Sequence, residues 1–160
     1  MKSRIAIYPG SFDPITNGHM DIIRRGLEIF DRVIIAVAKN SEKNGLFSVE
    51  DRVTLINQLI DDNSQLEVDT FDGLLVDYVV SRQASVILRG LRAVSDFEYE
   101  FQLAQMNRSI SQQVETLFMM TATQNAYLSS SIVKEVASLG GNIDNFVPPK
   151  VAEELRKKFS

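Results

Sequence analysis

Val33 to Ala38 read Val-Ile-Ile-Ala-Val-Ala, six residues without a polar side chain, closed off by Arg32 and Lys39. The run is far shorter than the roughly 18 apolar residues a membrane helix needs. It also lacks the polar–apolar alternation of a strand with one wet face. A short run of β-branched residues without alternation is a strand buried on both sides, which occurs in parallel sheets covered by helices. Four further short runs read as strands: Ile5–Tyr8, Leu66–Phe71, Ser85–Leu88 and Glu115–Thr121. Between them lie stretches with helical periodicity. One runs from Gly18 to Phe30, with Met20, Ile23, Leu27 and Phe30 on one face. Another follows Ser48-Val49-Glu50-Asp51, which reads as a capping box, and carries Val49, Val53, Ile56 and Ile60. Others span Leu74–Arg82 and about Ser95–Ser109, and one starts at Ser129-Ser130-Ser131 and stops at Gly140-Gly141. Pro148-Pro149 opens a last helix to Phe159. Strands alternating with helices predict an α/β fold: a Rossmann-like, doubly wound, five-stranded parallel sheet with helices on both faces. No repeat, low-complexity tract or linker divides residues 1–160, which are expected to form one domain.

Composition narrows the chemistry. Cysteine is absent and His19 is the only histidine, so thiolate metal sites, thiol nucleophiles and His-rich zinc sites are excluded. A metal would be a hard, oxygen-liganded ion such as Mg²⁺ carried on substrate phosphates. The net charge of −4 argues against a general nucleic-acid surface. With no membrane-length apolar run and no secretory signal at Met1-Lys2-Ser3-Arg4, the expected location is cytoplasmic, with no membrane partner.

Ligands of doubly wound folds bind beyond the carboxyl ends of the strands. Three polar segments are expected there. Residues 9–19, Pro-Gly-Ser-Phe-Asp-Pro-Ile-Thr-Asn-Gly-His, join the first strand to a helix. A helix N-terminus offers unpaired amides to phosphate, and His19 on that end adds a directed donor. Ser11 is a candidate phosphate donor rather than a nucleophile, because His19 is the one evident base and is better used on phosphate. Asp13 is expected to fix the loop through an Asx-type turn. Arg89-Gly90-Leu91-Arg92 follows the fourth strand; its arginines are either solvated or hold separate phosphates. Lys43, on the polar loop 39–47, is either a solvent lysine or part of a loop that folds over an occupied site. The third segment, Gln124–Ser131 after the fifth strand, ends in Ser129-Ser130-Ser131, which caps a helix whose N-terminus also suits phosphate. Glu98 and Glu100 lie among Phe97, Tyr99 and Phe101, either on a solvated face or accepting from a ligand amine or ribose. Residues 97, 101 and 104 form one helical face and 99, 103 and 106 another; a helix apolar on two faces points to subunit contact.

Four segments in order resemble bacterial phosphopantetheine adenylyltransferases, in the nucleotidylyltransferase superfamily. They are Tyr8-Pro9-Gly10-Ser11-Phe12-Asp13-Pro14 with Thr16-Asn17-Gly18-His19; Ile87 to Arg92; Asp96-Phe97-Glu98-Tyr99-Glu100; and Ser129-Ser130-Ser131 with Val133-Lys134-Glu135. Thr16 separates this pattern from related cytidylyltransferases and nicotinamide-mononucleotide adenylyltransferases, which typically carry a second histidine there. The resemblance implies adenylyl transfer from ATP to 4′-phosphopantetheine, giving dephospho-coenzyme A and pyrophosphate by in-line attack without a covalent intermediate. It implies His19 as transition-state stabiliser, with Lys43 and Arg92 as further catalytic groups. ATP would be bound by Ser11, Phe12, His19, Gly90, Leu91, Arg92, Glu100, Asn125, Ala126, Tyr127, Leu128, Ser129, Ser130 and Ser131. The acceptor would be bound by Ser11, Lys43, Leu75 and Arg89. Mg²⁺ is the implied cofactor, without protein ligands, and a homohexamer the implied assembly. Ser11 stands where threonine is common, and Asn125-Ala126 where Trp-Ser is frequent. A nucleotidylyltransferase with another phosphate acceptor, or a non-catalytic nucleotide sensor, are the competing readings.

Overall fold

A computed structural model describes residues 3–39 and 44–160, with Val94 and Ser95 described in backbone only. The strands are β1 (Ile5–Gly10), β2 (Arg32–Ala38), β3 (Leu66–Phe71), β4 (Val86–Leu91) and β5 (Glu115–Met120). They form one five-stranded sheet in the order β3-β2-β1-β4-β5, and every pairing is parallel. The helices among the described residues are α1 (Asn17–Gly26), α2 (Val49–Ile60), α3 (Leu75–Ser81), α4 (Val94–Ile110), α5 (Ser130–Ser138) and α6 (Pro149–Phe159). None is long and apolar enough to cross a membrane.

Strand periodicity sorts the core into two layers. Ala6, Tyr8, Val33, Ile35, Val37 and Leu88 pack on one face with Ile22 and Ile23 of α1, Leu55 and Ile56 of α2, Val133 of α5 and Leu155 of α6. Ile7, Ile34, Ala36 and Ile87 turn to the other face, against Val76 and Val79 of α3. Side chains that alternate between two buried faces explain why β2 carries no polar residue over Val33–Ala38.

Several expected boundaries move. β1 runs on to Gly10 rather than ending at Tyr8. The first helix ends at Gly26 rather than Phe30. Residues 27–29 turn away through bonds such as Phe30 N–H to the Gly26 carbonyl (2.8 Å), and Phe30 reaches the core from there. The fourth strand does not end at Leu88. It runs on to Leu91, so Arg89, Gly90 and Leu91 pair with Phe118, Met119 and Met120 of β5 and are not loop residues. The loop arginine expected at position 89 is a strand arginine, sustained by polar partners described below. At the other end of α5, Gly140 adopts φ +77°, the left-handed conformation that closes a helix with least strain in glycine. The connection from α5 to α6 then returns to the start of α1. The Asn17 amide donates to the Phe146 carbonyl (2.9 Å), and its side chain donates to the Asn145 carbonyl (3.0 Å).

The sheet order places β1 and β4 side by side although β2 and β3 separate them in sequence. Connections therefore leave these two strands in opposite directions, which opens a crevice at their carboxyl ends.

Candidate active site

The crevice is an open cleft of about 440 Å³. Its wall includes residues 8–12 around the end of β1, Thr16, Gly18 and His19 at the start of α1, Arg89 and Gly90 of β4 with Arg92 just beyond it, and Leu128, Ser129 and Ser130 at the start of α5. Segments from the three expected regions thus meet in one place.

His19 occupies the third position of α1, and Thr16 is the N-cap. The two form a reciprocal cap. The His19 amide donates to Thr16 Oγ1 (3.4 Å), and the Thr16 amide donates to His19 Nδ1 (3.0 Å). A glutamate or glutamine usually performs the second half of this motif; here an imidazole does. Because Nδ1 accepts from a backbone amide it carries no proton, so a neutral ring must hold its hydrogen on Nε2. Burial lowers the His19 pKa to about 4, reinforced by the nearby charges of Arg92 and Arg89. The ring is therefore neutral at pH 7. No buried side-chain nitrogen or oxygen among the described residues lacks a partner. The Nε2–H accordingly opens to the cleft. Phe12 fixes the ring from the side, its centroid 5.0 Å from that of His19 in an edge-on contact, and Tyr8 packs edge-on against Phe12 at 5.4 Å. Phe12 itself has φ +49°, a conformation uncommon outside glycine, asparagine and aspartate.

Arg89 is held on both sides. Its Nε donates to Glu100 Oε2 (2.8 Å), Nη2 pairs with Glu100 Oε1, and Nη1 donates to the Pro9 carbonyl (3.1 Å). Burial alone would lower the arginine pKa, but the Glu100 contacts outweigh it and hold Arg89 above its ordinary value. Glu100 is buried rather than on a solvated face. Arg92 ties two walls together, with Nη1 donating to the Leu128 carbonyl (3.0 Å) and Nε to Asp96 (3.1 Å). At the start of α5, Ser129 Oγ accepts from the Ile132 amide (3.2 Å), and Ser130 Oγ donates to the Pro14 carbonyl (2.7 Å). The Ser130 bond thereby ties the start of α5 to the loop after β1.

Several expected residues lie elsewhere. Lys43 falls outside the described residues. Leu91 is buried, and neither it nor Asn125, Ala126, Tyr127 or Ser131 is part of the cleft wall. The ring of Tyr127 instead meets Phe146 edge-on at 6.1 Å. Leu75 borders a separate small crevice together with Arg89, Glu100, Leu103, Asn107 and Thr116, so the Arg89–Glu100 pair forms the partition between the two. Asp96, Tyr99 and Thr121 line the main cleft and were not singled out as binding residues from sequence. The i,i+4 spacing of Arg92 and Asp96 was a readable signal for the first.

Asp13 does not act through a turn of its own. Its carboxylate is buried and accepts from the amides of Leu46 (2.9 Å) and Phe47 (2.9 Å) and from Lys134 Nζ (3.2 Å). Burial would raise its pKa, but these donors and the charge of Arg52 hold it below the usual carboxylate value.

Residues 7–136 match the model of the cytidylyltransferase-like family. A protein of Geobacter metallireducens named phosphopantetheine adenylyltransferase is 68% identical over 160 residues, covering 100% of this chain and 98% of the relative. One of the same name from Alkaliphilus metalliredigens is 56% identical over 155 residues, covering 97% of this chain and 99% of the relative. Among solved structures, a putative nicotinate-nucleotide adenylyltransferase from Vibrio parahaemolyticus superposes with a TM-score of 0.70 at 18% identity, covering 99% of this chain and 95% of the other, and shares the fold. A cleft built at the switch point of this sheet, on a chain so closely related to those two bacterial proteins from end to end, belongs to the phosphopantetheine adenylyltransferase family of cytidylyltransferase-like enzymes.

Proposed function

We propose that the protein transfers the adenylyl group of ATP to 4′-phosphopantetheine, forming dephospho-coenzyme A and releasing pyrophosphate. The observation that carries this reading is the placement of the His19 imidazole, anchored at Nδ1 by the Thr16 amide and standing in the cleft wall. Its Nε2–H opens to a cleft that also holds Arg89, Arg92 and two helix N-termini. The layout supplies donors and positive charge without a convincing nucleophile, which suits direct in-line attack of the acceptor phosphate on the α-phosphorus. Catalysis then rests on positioning and on donors that strengthen as charge builds on the α-phosphate oxygens.

In this reading Ser11 and the backbone of Phe12 hold the phosphates where β1 ends. Arg92 and the first turn of α5, with Leu128, Ser129 and Ser130, hold the nucleotide. Arg89 takes the acceptor phosphate beside Leu75, and Lys43 adds charge from its loop. The described residues contain no group of three carboxylates or imidazoles. Of the carboxylates at the cleft wall, Glu100 is engaged by Arg89 and Asp96 by Arg92. This donor set suits a magnesium ion bound through the triphosphate, where it would neutralise phosphate charge. We place the protein in a homohexamer. The support is that α4 leaves Phe97, Phe101, Met106 and Ile110 exposed in the single chain, rather than buried on both sides within it.

The test is direct: purified protein, ATP, Mg²⁺ and a panel of acceptors, with pyrophosphate release measured. Dephospho-coenzyme A formed from 4′-phosphopantetheine, with far slower turnover of nicotinate mononucleotide and polyol phosphates, is the expected result. Preference for another acceptor, or ATP binding without turnover, would overturn the proposal.

A further inference from the structure

Beneath the cleft wall lies a buried cluster that touches none of the cleft's open space. Arg52, on α2, has its side chain 4% exposed, and Asp13 1%. Arginine is rarely so buried without a dedicated set of partners. Arg52 Nε donates to the Phe47 carbonyl (2.9 Å) and lies 3.5 Å from Asp13 Oδ1, while Nη1 donates to the Ser11 carbonyl (3.3 Å). Asp13 closes the set through the Leu46 and Phe47 amides and Lys134. One guanidinium and one carboxylate therefore pin the backbone on both sides of Phe12. Phe12 is the residue held at φ +49° whose ring abuts His19. Gly45 leaves room for this arrangement: a Cβ there would stand 2.0 Å from Arg52 Nη2.

We infer that Asp13 and Arg52 are positioning residues that lock the 11–13 backbone, and through the Phe12 ring set the orientation of the His19 imidazole. The inference rests on the proposed role of His19 but makes a claim about the ring that needs no substrate. A strained backbone persists only where its surroundings over-determine it, and Asp13 and Arg52 are the side chains that do so here. Lys134, reaching Asp13 from α5, brings the second phosphate-facing helix into the same lock.

The experiment uses Gly45→Ala and Arg52→Gln in the full chain. His19 is the chain's one histidine, so its imidazole ¹⁵N and ¹H signals are assigned without ambiguity. In both variants we expect the ring signals to shift from the wild-type positions, with kcat falling about 10- to 100-fold and the KM for ATP within about 3-fold of wild type. Arg52→Lys, which cannot span Phe47, Asp13 and Ser11 together, should regain thermal stability over Arg52→Gln without regaining kcat. If Arg52→Gln fails to fold, Gly45→Ala, which deletes no side chain, carries the test. Unmoved ring signals overturn the inference. So does wild-type kcat in the folded variants, even where their melting temperature drops, since that is what scaffolding alone would do. If the wild-type protein itself transfers no adenylyl group, the proposed reaction fails, and the ring signals still decide whether the lock exists.

Discussion

His19 has two jobs in this structure, and a pair of substitutions separates them. Nδ1 accepts from the Thr16 amide and caps α1, while Nε2–H opens to the cleft. Asparagine places its carboxamide oxygen near the position of Nδ1 but has nothing at the position of Nε2. His19→Asn should keep the cap and lose the donor, whereas His19→Ala loses both. Removing a donor that acts on transition-state charge costs about 2.7–4 kcal/mol, or about 10²–10³ in kcat. Removing a capping contact costs about 0.5–2 kcal/mol of stability. For a chain of this size each kcal/mol moves Tm by about 2–4 °C. Both variants should therefore lose about 10²–10³ in kcat with the KM for ATP nearly unchanged. Only His19→Ala should melt earlier, by about 1–8 °C. Steady-state kinetics of pyrophosphate release and a thermal melt supply the two readouts. Turnover of His19→Asn within a few-fold of wild type would refute the donor role, and equal melting of the two variants would refute the cap.

Proton linkage gives a second expectation. The native imidazole titrates near 4 and the unfolded one near 6.5. Between those values the unfolded chain binds a proton that the native chain does not, so stability declines as pH falls from 6.5 to 4 and His19 adds no further loss below. At about 1.36 kcal/mol per unit the loss is at most about 3 kcal/mol, reduced by whatever screening cleft water supplies. An NMR titration midpoint at 6 or above for the ligand-free protein would contradict the burial argument. Arg89→Ala should raise the KM for 4′-phosphopantetheine and also destabilise the fold, because it strands the buried Glu100 carboxylate. Adding Glu100→Gln should restore much of the melting temperature but not the KM, and recovery of both would show that Arg89 serves structure alone. Met106→Asp together with Phe101→Asp, one on each of the two exposed faces of α4, should shift sedimentation from a homo-oligomer to single chains; an unchanged profile would place the assembly surface elsewhere.

The sheet was legible because β1 and β2 satisfy burial with their own side chains. The six apolar residues of β2 can only be an interior strand, and their positions in sequence are their positions in the sheet. Legibility fails where a strand enters the cleft. β4 continues through Arg89, whose charge interrupts the apolar run, because Glu100 and the Pro9 carbonyl supply partners that no local pattern shows. The same holds for Arg52. On an amphipathic helix an arginine ordinarily reads as a solvated residue, and its partners lie at Phe47, Asp13 and Ser11, the last two 39 and 41 positions away along the chain. His19, Arg92 and Ser129 were found because helix starts and strand ends have signatures of their own. Asn125, Ala126 and Tyr127, expected at the crevice with the rest of the polar stretch after β5, do not line the cleft, and the Tyr127 ring meets Phe146 instead.

The bonds from Asn17 to Asn145 and Phe146 make the far end of the polypeptide a foundation for its chemistry. Every cleft residue named above precedes position 131, yet the helix bearing the imidazole begins on a carbonyl supplied after α5. A protease cut that removed residues beyond Gly141 would spare each ligand-facing group and still unseat that helix.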